Sequence, residues 1–314
     1  MLNHQLCGPA GVTEDWILEK TGIVSRRRVA KDEATSDVAY AAATKALADA
    51  GVSASQLSQV VVSTSTPDIL GFAVASQVAT ALDCPLDTGT YDVNAACSGF
   101  LTAMAITHRG MRDSDEFALV IGTDVYSRFR NDRDKRSTAL WGDGAGAVVI
   151  GPRSTATSKA EILATWYTRY PTELETGGIP AGGSRTPASS QTVENAQHFV
   201  ALNGRRIGEI FKQNVPTLLD RFLDRAGYHR DQIDHVIPHQ GNHRLVQSMA
   251  DMLKVDPAKV HATADRFGNT GSATIPTTLD IARSEDRLRE GDVILMLAIG
   301  IGMTFSFSLI RWMG

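Results

Sequence analysis

The chain has 314 residues, of which 43% are hydrophobic, and this length allows one large or two medium globular domains. Its net charge is only -4 and its basic residues are scattered, which argues against nucleic acid or an anionic membrane as a partner. No apolar run is long enough to cross a bilayer, and the start MLNHQLCGPAG does not resemble a signal peptide. Three cysteines are too few for a disulfide framework or a zinc site, so we expect a cytoplasmic protein without a metal.

The chain repeats itself at a constant offset of 176 residues. The matching segments are ADAGVSASQLSQVVVSTS (48–65) with DRAGYHRDQIDHVIPHQG (224–241), FALVIG (117–122) with VILMLA (293–298), and the run around Cys97 with GSATIPTTLDIA (271–282). Each copy predicts a helix, a glycine stop, an apolar strand, a second helix and a second strand. The sequence therefore predicts an α/β protein of two pseudo-symmetric halves, residues 1–154 and 155–314.

Two polar stretches and one unmatched strand interrupt this repeat. GPRSTATSKA (151–160) is the predicted join between the halves. TGGIPAGGSRTPASSQT (176–192) predicts a loop, either a surface excursion or a flap over an active site. The strand-like AEILATW (160–166) has no twin, because the offset places that twin before Met1. We therefore expect the first half to lack one strand.

Cys97 stands between a predicted strand end, TYDVNA, and a predicted helix, SGFLTAMAITHRGM. A cysteine at such a junction lies at the positive end of the helix dipole, which lowers the pKa of a thiol. The neighbouring backbone N–H groups can bind an oxyanion. A lone cysteine is also commonly a small buried core residue. From this segment alone, the buried structural cysteine is the favoured interpretation.

Two further junctions lie in the second half. His239 follows an apolar strand directly, in VIPHQGN, and precedes a predicted helix over residues 244–253. Asn269 lies in the glycine-flanked turn RFGNTGSATIP, which the repeat pairs with the segment that leads to Cys97. Ligands bind at topological switch points of open α/β sheets, and the repeat predicts that these junctions face one crevice. We therefore expect Cys97, His239 and Asn269 to converge.

The segments DVNAACSGF, IPHQGN and GNTGSATIP, with the two-half build, resemble the β-ketoacyl-acyl-carrier-protein synthase III family of condensing enzymes. The resemblance covers nearly the whole chain and implies a thiolase-like fold with layers in the order α-β-α-β-α. It implies an acyltransferase of fatty-acid-type biosynthesis in which Cys97 is the nucleophile. Cys97 would take an acyl group from an acyl-CoA and pass it to malonyl-acyl carrier protein or malonyl-CoA, giving a 3-oxoacyl product.

The resemblance also implies roles for individual residues. His239 and Asn269 would hydrogen-bond the malonyl thioester carbonyl and stabilise the enolate formed as CO2 leaves, so no cofactor is expected. The backbone N–H groups of Cys97 and Ile301 would form the oxyanion hole. The implied CoA and pantetheine contacts are Trp16, Lys20, Arg136 (or Arg133 in its place), Gly204, Asn242 and Arg244. The implied acyl-pocket residues are Phe72 and Trp141, of which Trp141 is equally well explained as a core tryptophan.

Two positions depart from the family pattern. Ile301 stands in the turn AIGIGM, where relatives carry glycine, and its branched side chain would restrict the pocket or the backbone. Lys20 replaces an arginine and would make a weaker phosphate contact, since an ammonium group cannot bind in a bidentate way.

The resemblance further implies an obligate homodimer. Relatives pair the first-half sheets of two subunits through an edge strand, and TGTYDVNA (88–95) resembles that strand. Phe72 would then reach the acyl pocket of the neighbouring subunit.

Other functions remain open on the sequence. A papain-like cysteine hydrolase also has its residues in the order Cys, His, Asn, but its cysteine lies near the N-terminus in a CGSCW-like context that is missing here. A non-catalytic homologue is the second alternative. Within the family, the primer is open: the arginine-dense SRFRNDRDKRS (127–137) is either a solvated loop or a site for a carboxylate-ended primer such as a glutaryl group of a biotin route, and secondary-metabolite primers are also possible.

Overall fold

The structure is a computed structural model that describes residues 1–111, 115–152, 158–171 and 176–314. The strands in these ranges are β1 (Leu57–Ser63), β2 (Gly89–Val93), β3 (Phe117–Val125), β4 (Asp143–Ile150), β5 (Ala160–Arg169), β6 (Gly177–Gly178), β7 (Ala201–Leu202), β8 (His235–Pro238), β9 (Val293–Gly300) and β10 (Thr304–Trp312). The helices are α1 (Cys7–Ala10), α2 (Glu14–Thr21), α3 (Thr35–Ala50), α4 (Val74–Ala81), α5 (Gly99–Gly110), α6 (Lys135–Thr138), α7 (Ser190–Glu194), α8 (Gly204–Ala226), α9 (His243–Gln247), α10 (Met249–Leu253), α11 (Ala264–Phe267) and α12 (Thr274–Ser284).

The strands form two four-stranded sheets and a small ribbon of β6 and β7. The first sheet has the order β2-β1-β3-β4, with β1 parallel to β2 and β3, and β4 antiparallel to β3. The second has the order β5-β10-β9-β8, with β8 parallel to β9, and β10 antiparallel to β9 and β5. Each sheet comes from one predicted half, while the predicted boundary at residues 154 and 155 lies outside the described residues.

The two sheets lie between three layers of helices. α3 and α4 cover the outer face of the first sheet, and α8 covers the second sheet. α5 lies between the sheets, in contact with β1 and β3 on one side and with β5, β9 and β10 on the other; α12 contacts β4 and β8 from the same layer. The predicted α-β-α-β-α arrangement is confirmed.

Residues 99–105 of the central helix α5 are all buried, because sheets cover the helix on both sides. Phe100, Leu101 and Met104 are among its buried residues, and they share one core with Val120 of the first sheet and Met296 of the second. α8 is different, since only one of its faces is covered and the buried residues recur at helical spacing. The start of α5, which directly follows the turn that contains Cys97, is therefore fixed by core residues from both halves.

The predicted repeat agrees with the structure at several elements. α3 and α8 both end at a left-handed glycine, Gly51 with φ 64° and Gly227 with φ 72°. β1 corresponds to β8 and β3 to β9, and a 3₁₀ turn precedes each inner helix, Ala96–Ser98 before α5 and Gly271–Ala273 before α12.

One detail of the sequence-based prediction is wrong, and one element of the second half departs from the repeat. Residues 265–269, which lie 176 positions after β2, are mostly occupied by α11 rather than by a strand, and a bridge between Val236 and Val260 lies at that edge of the second sheet. The single helix predicted over residues 244–253 is divided into α9 and α10 at Ser248. The Ser248 hydroxyl donates to the Leu245 carbonyl at 2.8 Å, a local bond of the kind that competes with regular helix.

The first sheet has no counterpart of β5 among the described residues. β4 pairs with β3 only, and its other edge faces a cavity of about 440 Å³ that α3 and α12 flank. Among all the residues that the structure describes, no helix is both long enough and apolar enough to span a membrane.

Candidate active site

Cys97 lies where β2 turns into α5. The Asn94 side chain holds this turn, since its Oδ1 accepts from the Ser65 hydroxyl at 3.1 Å and from the Ala96 N–H at 3.3 Å. Ala96 has a left-handed backbone with φ 47°, which is uncommon for a residue other than glycine and indicates local strain. A Cβ on Gly99 would lie 2.0 Å from the Ser63 hydroxyl, so only glycine lets α5 approach β1 this closely.

The Cys97 thiol is buried, and burial raises its pKa to about 12. The negative charge of Asp124 contributes to this rise as a smaller cause, and a backbone hydrogen bond opposes it. The prediction that the helix start would lower this pKa is therefore wrong. A helix dipole is typically worth less than about 1 kcal/mol at an ordinary site, and desolvation of a buried thiolate costs more.

His239 lies directly after β8, with its N–H donating to the Leu297 carbonyl at 2.8 Å. Its ring is buried, and burial lowers its pKa to about 4, so the ring is neutral at neutral pH. Nδ1 lies 2.9 Å from the Thr274 hydroxyl, which also lies 3.0 Å from the Gly271 carbonyl. Nε2 is therefore the ring nitrogen left for a substrate.

The Thr274 hydroxyl can serve either tautomer of His239. If its hydrogen points to the Gly271 carbonyl, the oxygen accepts from Nδ1–H. If it points to Nδ1, Nε2 carries the ring hydrogen and becomes a donor. The Gly271 carbonyl also accepts from the Thr274 backbone N–H, so the rotation leaves it with a partner.

Asn269 lies in the loop between α11 and α12. Its backbone N–H donates to the Leu140 carbonyl at 2.8 Å, and its own carbonyl accepts from the Gly142 N–H at 3.0 Å. Its Oδ1 accepts from the Gly271 N–H at 2.9 Å, which fixes the amide and leaves Nδ2 as the donating end. Asn269 is buried, so a substrate group bound there would leave water.

The three junctions meet through their turns. The 3₁₀ turn that contains Cys97 contacts the turn Gly271–Ala273, and the Ser272 hydroxyl donates to Ser63 at 2.7 Å. Gly271 and Thr274 connect this turn to Asn269 and His239 by hydrogen bonds. The structure thus brings together the turns that carry Cys97 and Asn269, with His239 bonded to Thr274 at the end of the second turn.

Ile301 follows Gly300 in the turn between β9 and β10. A Cβ on Gly300 would lie 2.1 Å from the Ala95 carbonyl and 2.7 Å from the Ser98 hydroxyl. The turn that carries Ile301 therefore lies against the turn that carries Cys97, and the Ile301 side chain is partly exposed.

Several residues predicted to bind CoA share one surface. Trp16 and Lys20 lie on α2, which contacts α9, the helix of Arg244. The pKa of Glu19 is lowered by its hydrogen bond and ion pair with Lys20 and, more weakly, by the charge of Arg244. The Lys135 ammonium lies 5.7 Å from the centre of the Trp16 ring, so α6 adjoins this surface.

Other predicted contacts are less clearly placed. Arg136 is 78% exposed and lies 3.6 Å from Asp134, and Arg133 is exposed as well, so geometry does not choose between the two arginines. The Oδ1 of Asn242 accepts from the Leu245 N–H at 2.8 Å and caps α9, which leaves only its NH₂ group for a ligand. Gly204 begins α8, and a Cβ there would meet open space.

The two predicted acyl-pocket residues differ in exposure. Trp141 is 2% exposed and stacks on Tyr126 with ring centres 4.2 Å apart, as a core tryptophan would. Its backbone also bridges to Asn269. Phe72 is 58% exposed beside the exposed Ile69 and Leu70, so within a single chain it lies on the surface.

Sequence reasoning missed two residues of this site. Thr274 contacts His239, and Asp124 accepts hydrogen bonds from both halves of the chain. Asp124 could have been suspected from the sequence alone, because FALVIGTDV places a carboxylate inside an otherwise apolar strand. Thr274 carries no such signal, since threonine is common near the start of a helix.

The architecture and the buried cysteine between two pseudo-symmetric halves define an enzyme of the thiolase fold. The family model "3-Oxoacyl-[acyl-carrier-protein (ACP)] synthase III" matches residues 91–169, and the model of its C-terminal part matches residues 223–312. The chain belongs to this family, whose members are condensing acyltransferases. The resemblance stated from the sequence is confirmed.

Individual relatives cover almost the whole chain. Acetoacetyl CoA synthase NphT7 of Streptomyces sp. (strain CL190) is 38% identical over 99% of this chain and 94% of its own. Beta-ketoacyl-[acyl-carrier-protein] synthase III of Syntrophomonas wolfei is 34% identical over 99% and 92%. Among solved structures, the Pseudomonas aeruginosa PAO1 synthase III has a TM-score of 0.88 at 28% identity, covering 100% of this chain and 94% of that one. The priming β-ketosynthase of the R1128 polyketide pathway has 0.89 at 27%, covering 100% and 92%.

Proposed function

We propose that this chain catalyses decarboxylative condensation of an acyl-CoA primer with a malonyl thioester, giving a 3-oxoacyl thioester. The proposal rests on the contact between the Cys97 turn and the Gly271–Ala273 turn, which hydrogen-bonds to Asn269 directly and to His239 through Thr274. This arrangement supplies a nucleophile from one half and two hydrogen-bond donors from the other.

In the first stage, the Cys97 sulfur attacks the thioester carbonyl of the acyl-CoA. The new S–C bond replaces the bond to the CoA sulfur, and the proton of the Cys97 thiol ends on the departing CoA thiol. The backbone N–H groups of Cys97 and Ile301 serve as the oxyanion hole. Because the thiol is buried and its pKa is high, we expect the bound substrate to be needed before Cys97 ionises.

In the second stage, the malonyl thioester carbonyl accepts from the Asn269 Nδ2–H and the His239 Nε2–H. The Thr274 hydroxyl then donates to Nδ1, which places the ring hydrogen on Nε2. Loss of CO2 leaves an enolate that these donors stabilise. The enolate carbon attacks the acyl group, and Cys97 leaves as a thiolate that takes up one proton from solvent. Decarboxylation supplies the carbon nucleophile, so the proposed reaction needs neither a metal nor a redox cofactor.

The surface of Trp16, Lys20 and Arg244 is the proposed CoA site. It combines an aromatic ring for the adenine with two cations for phosphate groups. The family relation supports acyl carrier protein as the carrier of the malonyl group. A cytoplasmic location stays a prediction.

A second candidate uses malonyl-CoA in place of malonyl-acyl carrier protein. It is supported by the relative named acetoacetyl CoA synthase, which is 38% identical to this chain. The R1128 priming ketosynthase supports a pathway-dedicated role with a different primer. Both candidates share the same chemistry at Cys97 and differ in the carrier and the primer.

A homodimer is the proposed assembly. β2 is an edge strand of the first sheet, and the apolar side chains of Ile69, Leu70 and Phe72 are 62%, 73% and 58% exposed. An exposed apolar group of this kind is typical of an interface. We propose that Phe72 closes the acyl pocket of the partner subunit.

The experiment that tests the proposed function presents the enzyme with a panel of acyl-CoAs and then with malonyl-CoA or malonyl-acyl carrier protein. Intact mass spectrometry identifies the primers that acylate the protein, and product analysis identifies the carrier. A 3-oxoacyl product that requires both substrates supports the proposal. Release of free acid without any malonyl thioester would instead identify a hydrolase, and no acylation by any primer would favour a non-catalytic homologue.

A further inference from the structure

Asp124 is a fully buried carboxylate at the end of β3 that the proposed reaction does not use. Its Oδ1 accepts from the Ser65 N–H at 2.8 Å, the Thr66 hydroxyl at 3.1 Å and the Thr64 hydroxyl at 3.3 Å. Its Oδ2 accepts from the Ser272 N–H at 2.8 Å. These donors come from both halves of the chain.

The carboxylate connects the two turns of the active site. On one side, Ser65 donates through its hydroxyl to Asn94, which holds the Ala96 N–H next to Cys97. On the other side, Ser272 follows Gly271, whose N–H fixes Asn269. A Cβ on Gly271 would lie 2.1 Å from the Asp124 Oδ2, so the Asn269 turn rests directly on the carboxylate.

The charge of Asp124 is balanced by neutral donors. Burial raises its pKa to about 7, and the four hydrogen bonds oppose that rise. The titratable groups beside it are Cys97 and Tyr126, and its charge raises the pKa of both. Asp143 lies next to it in the β3–β4 ladder, but the Asp143 carboxylate bonds to Ser127 and Val29 instead.

We propose that Asp124 is a positioning residue for condensation: through its hydrogen bonds to Ser65 and Ser272 it fixes the Cys97 turn against the Asn269 turn, and its buried negative charge adds to the effect of burial in keeping Cys97 a thiol. The inference rests on the proposed function of Cys97 and Asn269. A thiol that stays protonated in a buried site is protected from alkylation and oxidation until an acyl thioester binds. The same carboxylate thus joins the two halves and restrains the nucleophile.

The test compares wild type with Asp124→Asn and with Asp143→Asn as the matched control, since Asp143 is also a buried carboxylate with three hydrogen bonds. Alkylation of Cys97 by iodoacetamide is followed against pH, with peptide mass spectrometry to separate it from Cys7 and Cys84. Loss of the negative charge favours the thiolate. We expect Asp124→Asn to shift the profile by about one unit to lower pH, which is roughly tenfold faster alkylation at a given pH.

The rate of condensation should fall in Asp124→Asn, whereas the rate of alkylation should rise. The NH₂ group that Asp124→Asn introduces cannot accept from a backbone N–H, so we expect kcat to fall about 10- to 100-fold, with a smaller change in the KM for the malonyl thioester. Asp143→Asn should leave the alkylation profile where it is in wild type. An unshifted profile for Asp124→Asn, or an equal shift for Asp143→Asn, overturns the proposal.

A second variant, and a comparison of alkylation with condensation, complete the test. If Asp124→Asn does not fold, Thr64→Val removes one donor to the carboxylate and raises its pKa, so near pH 7 more of Asp124 is neutral and alkylation of Cys97 should be faster there by up to about twofold. No shift in that variant also counts against the proposal. Alkylation requires no acyl substrate. If Asp124→Asn shifts the alkylation profile but the wild-type protein never condenses, the proposed function is contradicted, and only the effect of Asp124 on the Cys97 thiol is supported.

Discussion

The two turns that lead into α5 and α12 share a backbone design and differ in chemistry. Each is a 3₁₀ turn whose first residue has a left-handed backbone, Ala96 with φ 47° and Gly271 with φ 57°. The first turn carries the thiol of Cys97, whereas the second carries hydroxyl groups and adjoins Asn269. The repeat therefore supplies the same backbone geometry twice. In the proposed reaction, the first turn holds the acyl group and the second turn lies beside the malonyl group.

The largest effect should come from the first turn. We expect Cys97→Ala to abolish both acylation and condensation, because Cys97 alone of the three cysteines lies at the start of a buried helix. Intact mass spectrometry after incubation with an acyl-CoA measures the first loss and product formation the second. Cys84→Ala is the control, and acylation that persists in Cys97→Ala on another residue would contradict the assignment.

The second turn should separate the two stages. We expect Asn269→Ala and His239→Ala to retain acylation of Cys97 but to lose condensation by about 100- to 1,000-fold, since each removes a donor to the enolate. Pre-acylated enzyme mixed with the malonyl thioester isolates that stage. If either variant condensed at the wild-type rate, the role proposed for that residue would be wrong.

Thr274 should have an intermediate effect. Thr274→Val removes the hydroxyl that contacts His239 Nδ1 and that the proposed reaction uses as a donor, and we expect condensation to fall about tenfold while acylation is unchanged. Thr274→Ser should restore most of the rate. Thr278→Val is the control one turn further along α12, because its hydroxyl bonds to the Thr274 carbonyl and to Thr263 rather than to the imidazole. If Thr274→Val and Thr278→Val lost the same fraction of the condensation rate, Thr274 would have only a structural role.

Gly271 and Ala96 both have a left-handed backbone, but substituting them should change the free energy of unfolding by different amounts. Gly271→Ala places a Cβ against Asp124 and should lower the free energy of unfolding by about 2–4 kcal/mol. Ala96→Gly relieves a strained backbone while it adds freedom to the unfolded chain, so its effect should stay within about 1 kcal/mol. Urea unfolding measures both, and a similar loss in the two variants would show that the turns are not constrained in the way described.

The last expected effect is the dependence of stability on pH that His239 causes. Its pKa is about 4 in the folded protein and near 6.5 when unfolded, so below about pH 6.5 the unfolded chain gains a proton that the folded protein does not. This group therefore lowers stability as pH falls from about 6.5 to 4, by up to about 1.4 kcal/mol for each pH unit. We expect His239→Ala to lose less stability than wild type between pH 7 and pH 5, and equal losses would contradict burial of a neutral ring.

The sequence predicted the parts of the structure that depend on local pattern. The repeat located the strands that lead into the turns of the candidate site, and motif order selected Cys97, His239 and Asn269 as candidate catalytic residues. It did not predict the high pKa of Cys97, because that depends on how deeply the turn is buried between two sheets. Nor could it predict the position of Asp124, whose hydrogen-bond partners Ser65 and Ser272 lie far apart in the chain.

In the proposed mechanism, an acyl group on Cys97 is the intermediate that condenses with a malonyl thioester. The direct measurement is a single turnover: acylated enzyme is isolated, the acyl group is mapped by peptide mass spectrometry, and the malonyl thioester is then added. We expect the acyl group to lie on Cys97 and to leave as one equivalent of 3-oxoacyl product. An acyl group on another residue, or its release as free acid when the malonyl thioester is added, would contradict this mechanism.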